Sequence, residues 1–297
     1  MQARIILLGG ARALALAILA LCPAGALWAN PPAGPAPEGG TTNVQTNPPM
    51  PLAAHRALYD LTLLKSTGNK SPTAARGRIA FDFSGSACDG YVQNFRQLTE
   101  LQPAEGPTRV SDMRSATFED GDGKNFAFDM KTNVDNAEND VVDGKAAKAD
   151  NGALSIVLSK PQPAKLNLDA DVVFPTEHLK RILAAAEAGQ SLLSLKVYDG
   201  SETGDKLYET TTIIGHPVTQ PVVEEAAHIP QLENMKRWPV SISYFEIGKK
   251  DEAPNYILSF DLYENGISRA LKLDYGDFIL GGEMTSLELL PQQTCAK

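Results

Sequence analysis

The sequence predicts a mainly β protein, many-stranded and antiparallel, on three observations. Ten segments place apolar residues at every second position, the period of a sheet with one face buried. Asp-Gly and Asn-Gly dipeptides recur between the segments, where hairpin turns need residues that accept positive φ. No alternation of strands with helices runs through the chain, which argues against a doubly wound parallel sheet.

The N-terminus reads as a secretory leader. "MQARIILLGGARALALAILALCPAGALWA" carries Arg4 and Arg12, then an apolar run from Ala13 to Leu21, then small residues up to Ala29. The run is short for a membrane span, which takes about 20 residues. Cleavage is expected after Ala29, giving a signal peptide over 1–29, although Leu27 stands where a small residue is usual. Cys22 follows a large Leu21, so "LALC" is a poor lipoprotein box, and this cysteine leaves with the leader. Residues 30–51, "NPPAGPAPEGGTTNVQTNPPMP", offer almost nothing to bury and read as a disordered Pro/Gly-rich tether.

A single domain is expected over 52–297. Its strand signals begin with "HRALYDLTLLK", which aligns Tyr59, Leu61 and Leu63, and "RGRIAFDFSG", which aligns Ile79, Phe81 and Phe83. "KNFAFDMK" aligns Phe126, Phe128 and Met130, and "GALSIVLSK" aligns Leu154, Ile156 and Leu158. "LLSLKVYDG", "KLYETTTIIG", "WPVSISYFEIG", "APNYILSFDLYENG", "GISRALKLDYGDF" and "MTSLELLP" continue the pattern. Turns are expected at Asp89-Gly90, Asp120-Gly121, Asp143-Gly144, Asn151-Gly152, Asp199-Gly200 and Asn265-Gly266. So many hairpins imply a meander.

One segment has helical spacing. "PTEHLKRILAAAEAGQ" puts Leu179, Ile182, Leu183 and Ala186 on one face, with Thr176 as N-cap and Gly189 as the stop. Such a helix either plugs an open barrel or covers a sheet edge. A weaker helical stretch runs through "VEEAAHIPQLENMKR", interrupted by Pro230.

Cysteine count and charge narrow the function. With Cys22 gone, Cys88 and Cys295 remain, and an exported chain with one even pair most simply forms a disulfide. Closing a loop of that size removes on the order of 5 kcal/mol of unfolded-chain entropy and holds a tail that would otherwise fray. A reactive pair is disfavoured, since neither a C-x-x-C nor a thioredoxin-like pattern is present. The 27 basic residues less the two of the leader leave 25 against 36 acidic, a net charge near −11. That balance argues against a nucleic-acid partner and against a polybasic membrane surface. No second long apolar run follows the leader, so no transmembrane segment is expected in the mature form.

Catalytic motifs do not emerge. His55, His178, His216 and His228 lack metal-ligand spacing, and no metal or cofactor is expected. Ser86 in "GSACDG" breaks the nucleophile-elbow pattern and reads as a turn residue beside the cystine. "EDGDGKNFAFDMK" superficially resembles a calcium loop, but Lys124 stands at the third ligand position and Asn125 replaces the needed Gly, so a hairpin turn is the better reading. The acidic "NVDNAENDVVDGKAAKADNG" reads as a solvated, turn-rich connector. Nothing selects a carboxylate pair among the acids.

Long strings along the chain carry a family resemblance: "AHRALYDLTL", "GRIAFDFSGSACDGYVQNFRQLTEL", "MKRWPVSISYFEIG" and "YILSFDLYENGISRALKLDYGDFILGGEMTSLELLPQQTC". Over about His55 to Cys295 the chain resembles the EipB family of alphaproteobacteria, periplasmic proteins of cell envelope integrity formerly filed as a domain of unknown function. The resemblance implies a spiral-like or broken β-barrel of many antiparallel strands with a few helices. It also implies a disulfide at the positions of Cys88 and Cys295, in agreement with the compartment argument.

The function so implied is non-enzymatic: envelope integrity under stress in the periplasm, through periplasmic or envelope protein partners. A carrier or sensor that holds a lipid, glycan or peptidoglycan fragment in a barrel cleft is the alternative. An incompletely closed barrel leaves such a cleft, and Trp238, Tyr244 and Phe245 are the candidates to line it, against the ordinary reading of strand aromatics as core. A hydrolase is a third class, motivated only by compartment and abundant acids.

Overall fold

The computed structural model describes residues 51–68, 71–169, 171–249, 253–293 and 295. The expected leader 1–29, and the tether 30–51 apart from its last residue, lie outside them. Fourteen strands run in chain order as β1 (His55–Ser66), β2 (Ala74–Ser86), β3 (Gly90–Gln102), β4 (Arg109–Glu119), β5 (Asn125–Val134), β6 (Ala137–Lys148), β7 (Ala153–Lys160), β8 (Ala164–Asp169), β9 (Leu192–Val197), β10 (Tyr208–Ile214), β11 (Arg237–Glu246), β12 (Tyr256–Tyr263), β13 (Ser268–Asp274) and β14 (Phe278–Leu289). One helix, α1 (Pro175–Glu187), separates β8 from β9.

All fourteen strands belong to one antiparallel sheet, ordered β8 to β1 and then β14 down to β9. Each strand pairs with its chain neighbour except across α1, and the first strand pairs with the last along nearly its whole length. The sheet does not close, because β8 and β9 stand at its two ends unpaired with each other. Among the described residues, Val173, between β8 and α1, bridges to β9: its N–H donates to the Lys196 carbonyl at 2.8 Å and its carbonyl accepts from the Tyr198 N–H at 3.1 Å.

Period two explains the strands. On β1, His55, Ala57, Tyr59 and Leu61 are buried while Arg56 is exposed. Phe126, Phe128, Leu154, Ile156, Phe174 and Tyr198 form a continuous cluster from β5, β7, the start of α1 and the end of β9. The Phe126 and Phe174 rings stack 5.1 Å apart, and Tyr198 meets both edge-on at 6.3 Å. Each such fully buried ring contributes about 3 kcal/mol of apolar transfer, with a further fraction from ring geometry.

Several turns differ from expectation. Asp143 and Gly144 lie inside β6, so the acidic connector is a strand, and a register shift falls between them. The turn sits earlier, at Asp135 and Asn136, both left-handed at φ 52° and 66°. Gly144 serves packing instead: a Cβ there would stand 2.8 Å from the Phe128 ring. The second expected helix reduces to one 3₁₀ turn, Glu225–Ala227. The Asp120 segment is a hairpin turn, in which the Asp120 carboxylate accepts from the backbone N–H groups of Lys124 and Asn125 at 2.7 and 2.9 Å.

The helix begins at Phe174 rather than at Thr176, and no side chain of its own caps it. Pro175 fills N1, where a missing N–H costs nothing. The next donors are met from far along the chain: Glu119 at the end of β4 accepts from the Thr176 and Glu177 N–H groups at 2.7 and 2.8 Å. Lys180 lies 4.5 Å over the Tyr91 ring and donates to the Gly121 carbonyl at 3.2 Å. On other sides of the helix, His178 meets Thr210 of β10 and Leu179 lies against Gly266 in the β12–β13 turn. These contacts reach both halves of the sheet. The helix therefore spans the open end rather than lying along one edge.

Candidate functional site

Cys88 sits in the tight β2–β3 turn, and Cys295 lies beyond β14. The two form a disulfide with Cα atoms 5.7 Å apart. Between β2 and β14 lies β1, so the tail must cross the start of β1 to reach its partner. It does so with two tethers: the Leu290 N–H donates to the Ala54 carbonyl at 2.8 Å, and the Ala54 N–H donates to Gln292 Oε1 at 3.4 Å. Ser86 shapes the turn that presents Cys88. Its hydroxyl donates to Asp89 at 2.8 Å and accepts from the Cys88 and Asp89 N–H groups at 3.2 Å. Both cysteines are exposed, so the bond pins the chain end without contributing to the core.

The three aromatics proposed for a cleft do not gather at one site. All three sit on β11, but Trp238 and Tyr244 are buried on its inner face while Phe245, one position on, points to the opposite face. Tyr244 belongs to a ring chain inside the sheet, 6.4 Å from Tyr208 and 6.2 Å from Tyr256. The odd spacing between Phe245 and the other two positions already separates them by strand period.

The histidines are placed individually. His55 Nδ1 lies 2.8 Å from the Ala53 carbonyl, and His228 Nε2 lies 2.8 Å from the Val222 carbonyl. Among the described residues no three His, Cys, Asp or Glu side chains gather as metal ligands. His178 is buried between α1 and β10, with Nε2 3.4 Å from the Thr210 hydroxyl. Burial pushes its pKa down from 6.5 to about 4, only partly opposed by Asp199. The folded protein thus stays neutral at His178 while the unfolded chain takes up a proton below pH 6.5, so stability falls as pH drops through that window. Urea midpoints are expected to lose about 2 kcal/mol of stability from this group between pH 7 and pH 5, and His178→Gln is expected to flatten that slope. An unchanged slope in the variant would contradict this assignment.

Sequence reasoning missed a depression on the outer face of β1 to β5. It encloses about 440 Å³. Leu58, Ala80 and Ala116 make its floor, and Arg56, Arg96, Arg114 and Lys131 stand around it, with Asp82 and Asp129 at the rim. The register places Arg96 opposite Arg114, and Arg114 opposite Lys131, on three adjacent strands. Arg96 makes two bonds to Asp112, at 2.9 and 3.0 Å, and Arg114 shares that same carboxylate at 2.9 Å. These two guanidinium groups hold the Asp112 carboxyl below its usual range. A second apolar surface lies on the inner face of the same strands, where Phe81, Phe95, Met113 and Met130 are only half-buried.

Comparison with known proteins agrees with this architecture. A family model described as EipB-like matches residues 46–291. The chain is 39% identical over 239 residues to the cell envelope integrity protein EipB of Brucella abortus (strain 2308), covering 80% of this chain and 84% of that protein. It superposes with TM-score 0.78 on a crystal structure of a beta-barrel-like protein of a domain of unknown function from Brucella abortus. That match has 37% identity and covers 82% of this chain and 100% of the other.

Proposed function

We propose a role for this chain from the family to which it belongs: it is a member of the EipB-like family, and it acts as a non-enzymatic periplasmic protein that maintains cell envelope integrity under envelope stress. The observation that carries this reading is the relative named for envelope integrity, similar over most of both chains. The cystine supports export, since such bonds persist in oxidising compartments. No helix of the described residues is long and apolar enough to cross a membrane. The action runs through protein partners, for which the edge of β8, and the edge of β9 ahead of its bridge to Val173, offer backbone groups able to accept a further strand.

A carrier of a lipid or glycan is the second reading. It is favoured by the half-buried Phe81, Phe95, Met113 and Met130 on the inner face, an apolar surface that the fold does not fill.

Depletion in the native host, followed by plating on detergent and a cell-wall antibiotic, tests the first reading. Sensitivity is expected, with rescue by the wild-type chain. Growth equal to the parent on both agents would remove the envelope role. Protein isolated from the periplasm and extracted with organic solvent tests the second, which fails if no lipid or glycan is recovered and none binds on re-addition.

A further inference from the structure

We infer that the outer-face depression over β1 to β5 is a binding site for a phosphate-bearing ligand, held between Arg96, Arg114 and Lys131. The inference stands apart from the partner and carrier readings, because it concerns the outer surface and not the sheet edges or the interior.

Its first support is the cross-strand register. Like charges directly opposite each other on neighbouring strands destabilise a sheet. Here three cations stand side by side, one on each of β3, β4 and β5, all on the exposed face. The protein carries net charge −9, so cations are scarce, yet four of them surround one depression with two carboxylates among its lining. Asp82, Asp112 and Glu138 each offset part of this charge, Asp82 by pairing with Arg56 at 2.6 Å, and a bound anion would offset what remains between Arg96 and Arg114.

The second support is geometry. Adjacent strands lie about 4.8 Å apart, so the three charged groups span about 10 Å. Asp112 already supplies one carboxylate, and it is shared by two arginines, which leaves the Arg96–Asp112–Arg114 group with one net positive charge. The same carboxylate fixes both guanidinium planes while leaving further N–H groups of each fork to donate. Lys131 is engaged by Glu138 at 3.2 Å on the far side. A phosphate group, with three oxygens and up to two charges, matches two guanidinium forks and an ammonium better than a second carboxylate would. Leu58, Ala80 and Ala116 give the depression an apolar part beside Asn94, which leaves room for the organic part of the ligand.

The shared chemistry is a phosphate ester, whose source is a soluble metabolite or a lipid headgroup. Two probes separate these: titration calorimetry with glycerol 3-phosphate, and sedimentation with phosphatidylglycerol vesicles against phosphatidylcholine vesicles. The mature chain is expected to bind at least one. Binding of glycerol 3-phosphate supports the site with a soluble ligand, and binding only to the anionic vesicles supports it with a headgroup. The double variant Arg96→Gln/Arg114→Gln is expected to bind about tenfold or more weakly, through loss of bidentate charge-assisted bonds. Its melting temperature should change little, because the cross-strand repulsion goes together with the two partners of the Asp112 carboxylate. Should the double variant fail to fold, Lys131→Gln is measured instead, with the same expected direction. The inference is overturned if neither probe binds, if the variants bind as well as the wild type, or if acetate competes as strongly as the phosphate probe.

Discussion

Replacing Arg269 by methionine is expected to lower stability by about 3–5 kcal/mol, the cost of leaving a buried partner charge without its counter-ion. Arg269 on β13 is 7% exposed at its side chain and Glu224 is 3% exposed, and the two are ion-paired. Arg269 also meets Asp261 of β12 at 2.5 Å, and Asp261 in turn meets Arg237 of β11 at 3.4 Å. Glu224 accepts further bonds from the Ala270 and Met284 N–H groups at 3.1 and 2.9 Å. One carboxylate in the long β10–β11 connection therefore ties that connection to β13 and β14. Removing the guanidinium strands the carboxylate. Glu224→Gln combined with Arg269→Met is expected to be less damaging than the single Arg269 change, since no buried charge is left alone. Urea denaturation of the three proteins checks this, and a loss below about 1 kcal/mol in Arg269→Met would show that water reaches Glu224.

Replacing Cys88 or Cys295 by serine is expected to cost about 2–5 kcal/mol and to lower the melting temperature by about 5–15 °C for a domain of this size. The bond spans 207 positions, so its effect on the unfolded ensemble is near the upper end for a single crosslink. Among the described residues, two hydrogen bonds around Ala54 hold the tail past β14 once the bond is gone. Limited proteolysis should then release the C-terminus first. The wild-type chain under reductant should behave like either variant. Equal melting and equal protease resistance in all forms would refute the staple.

The pairing Cys88–Cys295 was legible because only two cysteines remain once the expected leader is set aside, and an exported chain with one even pair most simply joins them. The anion site was not, because it depends on register. Arg96, Arg114 and Lys131 are spread over 36 positions of sequence, and net charge averages them against a surplus of acids. Only the ladder lines them up. Trp238, Tyr244 and Phe245 are separated for a simpler reason: Phe245 has the opposite strand parity from the other two, so no one face of β11 carries all three.

The sequence by itself determined the class of fold, the antiparallel meander and ten of its strands, since alternation and turn residues are local properties of the chain. It did not reveal β3, β4, β6 or β8. On β3 the inner face carries Gln97 and Thr99, which satisfy each other at 3.1 Å, and on β4 it carries Ser115 and Glu119. Buried polar residues erase the apolar period that marks a strand, and some are met from elsewhere in the chain, as Gln97 is by the Tyr275 hydroxyl at 3.3 Å. Glu119 is the clearest case: its carboxylate is set aside for the N-terminus of α1, a helix 57 residues further on, which in turn lacks a cap of its own. Tertiary structure alone decided such features, because each requires two segments distant in sequence to meet before either is satisfied.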